Sequence, residues 1–395
     1  VRLAYADPHP VPGLTPSTLQ ILQTVDGLGQ AGVDVTLITP QSPLPAEQVL
    51  GHALSPNVRL RPCFDPRKRW YFPFSSHKPF FWRAKRLLAK GGFDALLVRN
   101  LKLARYLLER CPDLPLFFET HEIFAQTFLE ERQPLGRRDQ GKYQRLLDNE
   151  RAVYTGALGI FPLTSLLAED IARDYGTGQG RFCVLPDGFD PALAAAASRR
   201  LAEQGRQPGP PRILYLGSLH PWKGVATLIE AMADVPAPIE CWIAGGEAER
   251  ITELKARGDA LGLGARLRFL GKVPPAERFD LIAQADVCAL PLTETSIASR
   301  YTSPLKLFEY MAMRKPLLVA DLPSIREVWS APEGRFAVGD AADCARQIRR
   351  LFSLIDTGAV AGLYADIDPD AYAWRRRGER IQTMIRASLP VRSRL

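Results

Sequence analysis

Two short segments in the second half of the chain combine residue types and spacings suited to holding a charged ligand. The first is Gly217-Ser218-Leu219-His220-Pro221-Trp222-Lys223-Gly224, directly after the apolar run 212–216. Gly217 lets the chain turn sharply and brings backbone close to a ligand. Lys223 lies just ahead of a helical pattern, where backbone N–H groups and the helix dipole already favour an anion. An ammonium there would neutralise a diphosphate, although a solvated lysine before a helix fits the local pattern equally well. The second segment is Ser303-Pro304-Leu305-Lys306-Leu307-Phe308-Glu309-Tyr310. Pro304 suits the first helical position with Ser303 as N-cap, which predicts that the amides of Leu305 and Lys306 point at phosphate oxygens. Glu309 follows about one turn on, where a carboxylate can accept both hydroxyls of a ribose. Taken alone, Glu309 and Lys306 also fit ordinary exposed helix charges.

His121 is the third candidate. It follows the apolar run 116–118 and lies between Glu119 and Glu122, which can orient it. A polar group at the carboxyl end of a strand is where function collects in open α/β sheets, and a satisfied loop histidine is the plainer alternative.

These candidates need strands to carry them, and the sequence supplies two series. Residues 2–6, 33–38, 93–98, 116–118 and 158–161 form short apolar runs separated by helical patterns. A second series, 212–216, 239–244, 267–270, 286–290 and 316–320, follows. Continuous apolar strands alternating with helices predict parallel sheets covered on both faces, so the fold class is α/β with two doubly wound units. The Ala-, Arg-, Gly- and Pro-rich stretch 191–211 reads as the linker between a first domain, 1–190, and a second, 212–370. The last helical stretch, from 371 to 395, is expected to pack back on the first domain.

Composition excludes several classes. A chain of 395 residues, 46% hydrophobic and 24% charged, can bury two cores without staples. Its six cysteines are scattered and form no C-x-x-C pair, so no metal site is expected and a reducing compartment is. A net charge of +8 suits an anionic ligand or membrane surface, but no nucleic-acid motif accompanies it. With no signal-peptide pattern and no membrane-spanning run, a cytoplasmic location is expected, with peripheral membrane contact as an option.

The pair of phosphate-suited segments resembles glycosyltransferase family 4. Similarity extends to Asp187-Gly188-Phe189-Asp190, Ala244-Gly245-Gly246, Leu270-Gly271-Lys272-Val273, the run 285–291 and the run 318–327. The first half matches more thinly, at Pro10-Val11-Pro12-Gly13, at 32–39 and at Glu119-Thr120-His121. The resemblance implies the GT-B fold, two Rossmann-like domains facing each other across a cleft. It implies a hexosyl-type transferase that retains anomeric configuration, takes a UDP- or GDP-sugar as donor, and uses neither metal nor cofactor. By the same resemblance Gly217, Ser218 and Lys223 would hold the diphosphate with Ser303, Pro304, Leu305 and Lys306. Glu309 would hold the ribose, and Gly246, Lys272 and Val273 would frame the base. His121 would contact the donor sugar, and the Gly13 loop would cover the phosphates. Two departures stand out. Ser218 occupies a position where many members carry arginine, a charge that Lys306 or Arg300 could supply. Tyr301 stands where the first of two family glutamates is usual, so Tyr301, Thr302 or Ser303 is expected to meet the donor sugar instead.

Basic and aromatic residues interleave between Arg67 and Arg86. That composition suits an anionic membrane interface or a pocket for a glycan or lipid-linked acceptor, and equally a long insertion packed on the first domain. A catalytically silent sugar-nucleotide or glycan-binding protein and a nucleotide-sugar epimerase remain the competing readings.

Overall fold

The computed structural model describes residues 1–67, 75–132 and 134–389. The chain forms two compact units, Val1–Pro186 with Trp374–Leu395, and Asp187–Ala373.

The first unit holds β1 (Arg2–Ala6), β2 (Asp34–Pro40), β3 (Val58–Cys63), β4 (Ala95–Val98), β5 (Leu116–Thr120) and β6 (Gly159–Pro162). They make one parallel sheet in the order β3-β2-β1-β4-β5-β6. Central strands are buried on both faces, as Leu3, Ala4, Tyr5 and Ala6 of β1 are, which explains their unbroken apolar sequence. The first helix, Pro16–Gln30, begins with Thr15 accepting the Thr18 amide and Pro16 in its first turn.

The helix Trp374–Ser388 packs on that first helix. A Cβ on Gly27 would collide with the Trp374 carbonyl, and one on Gly378 with the Gly27 carbonyl. The two backbones therefore cross at a distance that only glycine permits.

The second unit holds β7 (Arg212–Leu216), β8 (Glu240–Ala244), β9 (Leu267–Gly271), β10 (Val287–Leu290), β11 (Leu317–Ala320) and β12 (Arg335–Phe336). These are again all parallel, in the order β12-β11-β10-β7-β8-β9. Each unit is thus a doubly wound, Rossmann-like sheet with one position where the strand order reverses direction. That switch lies between β1 and β4 in the first unit and between β7 and β10 in the second.

The boundary differs from the expected one. Residues 191–211 are no linker: Pro191–Gln204 is a helix of the second unit, packed on the helix Arg278–Gln284. Asp190 caps it by accepting the amides of Ala192 and Leu193, and its alanine run favours helix. The chain passes between units at Pro186/Asp187 and returns at Ala373/Trp374. All six cysteines are free, four of them buried. No described helix is long and apolar enough to cross a membrane.

Candidate functional site

In the second unit, the loops after β7 and β10 flank the switch. The Trp222 carbonyl accepts both the amide and the hydroxyl of Thr293, at 2.9 and 3.1 Å. Gly224 has φ +69°, and a Cβ on it would strike the Pro291 carbonyl, so only glycine lets the two loops close together. On the other side, Gly245 has φ +112° and lies backbone to backbone with Gly217. The Gly217 amide donates to Ala244 O at 2.9 Å, tying the ends of β7 and β8.

These contacts hold Lys223 in a specific environment. Its ammonium lies 3.7 Å from the centroid of the Trp222 ring. Among the described residues it has no carboxylate partner. Burial pulls its pKa down to about 8. A charged group removed from water without a counter-ion is unfavourable, so the position is one that an incoming anion would relieve. Ser218 is exposed, and its carbonyl accepts from the Tyr215 hydroxyl at 2.5 Å.

The second expected segment folds differently in detail. The helix is Leu305–Ala312, with Pro304 in the cap position and no side-chain cap. The Ser303 hydroxyl instead accepts the Asp187 amide at 2.7 Å. The amides of Leu305 and Lys306, at the helix start, lie outside the helical ladder.

The Lys306 side chain is not a spare cation for phosphate. It donates to Glu309 Oε2 at 2.6 Å, one turn along the same helix. Burial lowers its pKa, against the pull of Glu309. Nor is Glu309 an open carboxylate: it is 2% exposed, with Arg278 Nε 2.8 Å from its other oxygen. Tyr301 is 1% exposed and belongs to the core, turned inward in the π-helical turn Ile297–Tyr301, which corrects the expectation that it meets a sugar. Thr302 and Ser303 follow it at the chain's re-entry to the helix. Lys272 is exposed and pairs with Glu247 at 2.8 Å, beside a half-buried Val273, while Gly246 packs on Leu219.

In the first unit, the loops after β1, β4 and β5 line a cavity of about 670 Å³, with Asp7, Arg99, Asn100 and His121 among its walls. Gly13 lies in the β1 loop, packed so tightly on Thr18 that a Cβ would collide with it. His121 sits at the cavity wall with both ring nitrogens engaged. Nδ1 lies 3.1 Å from Arg99 Nη2, and Nε2 lies 2.8 Å from Glu119 Oε1. A guanidinium only donates and a carboxylate only accepts, so Nδ1 is the acceptor and Nε2 carries the hydrogen. Burial and the Arg99 charge lower the His121 pKa to about 4, outweighing Glu119. The ring is therefore neutral at physiological pH.

Glu119 is fully buried. Its Oε1 also accepts from Gln20 Nε2 at 2.5 Å and from Arg377 Nη2 at 2.8 Å. Burial acts to raise its pKa, but Arg377, His121 and Arg99 prevail and hold the carboxyl far below the usual range. Arg377 comes from the helix Trp374–Ser388 and also donates to the Pro186 carbonyl at 2.7 Å.

Sequence reasoning missed Gln20, Arg99, Arg278 and Arg377. A signal existed for Arg377: it shares a helix face with Trp374, Gly378, Ile381 and Ile385, where a solvated arginine does not belong.

A model described as Glycosyltransferase Family 4 matches residues 19–193, and one described as Glycosyl transferases group 1 matches 210–353. The D-inositol 3-phosphate glycosyltransferase of Nocardia farcinica is 27% identical over 241 residues, covering 56% of this chain and 51% of that protein. The chain thus spans about half the length of such relatives. The phosphatidyl-myo-inositol mannosyltransferase of Mycolicibacterium smegmatis is 27% identical over 348 residues, 84% of this chain and 79% of that protein. Among solved structures, Anabaena HepE in complex with UDP superposes with a TM-score of 0.71 at 16% identity, covering 98% of this chain and all of its own. WaaG, involved in lipopolysaccharide biosynthesis, gives 0.66 at 17% identity over 96% of this chain and 99% of its own. At such identities the superpositions speak for the fold of two Rossmann-like domains.

Proposed function

The chain belongs to glycosyltransferase family 4, and on that premise we propose that it transfers a sugar from a nucleoside-diphosphate sugar to an acceptor hydroxyl. The observation that carries this reading is Lys223: a desolvated ammonium with no carboxylate partner among the described residues, at the switch between β7 and β10. A donor diphosphate supplies the missing negative charge. The amides of Leu305 and Lys306 add donors of the same sense. UDP in the HepE complex is in keeping with a nucleotide donor.

The reading assigns charge stabilisation to these groups rather than to a metal, and the stereochemistry is retention. The acceptor oxygen bonds to the anomeric carbon as the bond to the diphosphate oxygen breaks. The acceptor proton passes to the departing phosphate on the same face. Neutral His121, with both nitrogens committed, is a poor general base and acts by position, contacting the donor sugar. Glu309 anchors the ribose through the lone pairs that Arg278 and Lys306 leave free. The backbone at Lys272 and Val273 frames the base.

A peripheral membrane contact is part of this reading. Trp82 and Phe64 are exposed, and Arg86 and Arg83 lie over their rings. The stretch 68–74 of the same segment lies outside the described residues. Flotation with anionic liposomes at low salt tests the contact, and absence of binding ends it.

The central test is calorimetric titration with UDP and GDP, followed by transfer assays with their sugars. Binding abolished in Lys223→Ala, with turnover in the wild type, is expected. A nucleotide that binds without turnover favours a silent binding protein instead, and no nucleotide binding at all overturns the reading.

A further inference from the structure

The cavity of the first unit carries an excess of unpaired positive charge. Lys78, Arg99 and Lys102 all line it. None of the three has a carboxylate partner among the described residues. Arg99 spends its hydrogen bonds on neutral groups, the Ser17 carbonyl, Gln20 Oε1 and His121 Nδ1. Elsewhere on the same helix as Lys102, Leu101–Arg110, Arg105 pairs with Glu109 at 2.7 Å, so lack of a partner is not the rule there.

The two acids in the cavity wall, Asp7 and Glu122, offset only part of this charge and form no ion pair with the three cations. Asp7 is taken by His9, whose Nδ1 and backbone amide lie 2.7 and 2.9 Å from its Oδ1. Burial pushes the Glu122 carboxyl above its ordinary range, and it pairs with none of the three cations. Two helices, Lys78–Gly91 and Leu101–Arg110, also begin at the cavity and direct their positive ends to it.

We propose that this cavity binds the acceptor by a phosphate group, held by Lys78, Arg99 and Lys102. The proposal rests on the transferase reading above and names the acceptor class for it. A carboxylate is satisfied by a single guanidinium fork. Three separate cations and two helix starts suit a group with three acceptor oxygens and close to two negative charges. The phosphate then anchors the acceptor at the rim, where Lys78 and Lys102 are exposed. Its hydroxyl-bearing part reaches the wall formed by Ser17, Asn100 and His121.

The test uses the full chain saturated with UDP, so that the diphosphate site is filled, and titrates inorganic phosphate against sodium chloride of matched ionic strength. Melting temperature is the readout, since a ligand bound only by the folded state raises it. Phosphate is expected to raise it beyond the chloride control. In Lys78→Gln/Lys102→Gln the apparent phosphate affinity is expected to fall by roughly tenfold or more, as charge-assisted bonds are lost. The shift produced by UDP itself is expected to stay. An equal phosphate response in the double variant, or none in the wild type, overturns the proposal. Absence of the UDP shift in the wild type is a different result, which removes the transferase reading; the phosphate titration is then read without UDP.

Two further arms separate the sources of the group. Glucose 6-phosphate displacing inorganic phosphate assigns a soluble phosphorylated acceptor. Flotation with phosphatidic acid but not phosphatidylcholine vesicles, lost in the double variant, assigns a lipid headgroup. Failure of both overturns the acceptor assignment and leaves a bare anion site.

Discussion

The two units share one sheet topology, yet they treat charge at the carboxyl ends of their strands in opposite ways. In the first unit the buried carboxylate of Glu119 is surrounded by Arg377, Gln20 and His121, so the deep part of the site is closed electrostatically and the histidine is left neutral. In the second, Lys223 is desolvated over an indole ring and has no counter-ion among the described residues. One arrangement supplies its own counter-charge at Glu119 Oε1 and fixes geometry. The other is incomplete and gains its partner only with a ligand. Removing a cation should therefore have opposite consequences in the two places.

The largest effect is expected in the first unit. Arg377→Met leaves Glu119 buried and uncompensated, and should lower unfolding free energy by about 3–5 kcal/mol. Urea denaturation measures it, and a loss below ~1 kcal/mol would break the contrast. Next comes Lys223→Met. It should leave stability unchanged or slightly raised, because an unpaired desolvated charge is removed, while transfer falls by about 10²–10³-fold. A matching loss of melting temperature would mean that Lys223 is structural.

Smaller and more discriminating is the pH dependence of nucleotide affinity. The Lys223 pKa is lowered to about 8 in the free protein, and a bound diphosphate raises it again. Affinity should be full below pH 8 and decline by up to about tenfold per unit above it, until the pKa of the bound form is passed. Titration calorimetry from pH 7 to 10 gives the profile, which should flatten in Lys223→Arg. A pH effect on stability rather than on binding concerns His121, whose folded pKa of about 4 lies below its unfolded value. The unfolded chain then binds more protons between these two values. The stability contributed by the neutral ring is present above the unfolded pKa and is lost as pH falls towards 4. His121→Asn should remove that slope from stability-versus-pH curves.

How much of this was written in the sequence depended on how local its cause was. The central strands were visible because burial on both faces demands unbroken apolar runs, as in residues 2–6 and 212–216. β3 was not, since as an edge strand it alternates Arg59 and Arg61 with apolar residues and tolerates Pro62. The stretch 191–211 looked like a linker by its Pro, Gly and Arg content, but its first part is an alanine-rich helix with an aspartate cap. Lys223 could be singled out from its position before a helix, whereas its missing counter-ion is a fact of three dimensions. Ser303 was expected to cap its own helix, and a backbone amide 116 residues away in sequence claims its hydroxyl instead. Lys306 and Glu309 were read as two ligands, yet their spacing brings them to each other first. In each such case a partner distant in sequence, or one turn away, outbid the expected one.

The double passage of the chain between units has a consequence for biosynthesis. All six strands of the first unit leave the ribosome before any of the second sheet, but the helix Trp374–Ser388 emerges only after that sheet is made. Until then the surface of Pro16–Gln30 around Gly27 is bare and Glu119 lacks its guanidinium. The unit translated first is thus the one completed last, and a nascent chain stalled before residue 374 holds an unfinished domain that chaperones would have reason to recognise.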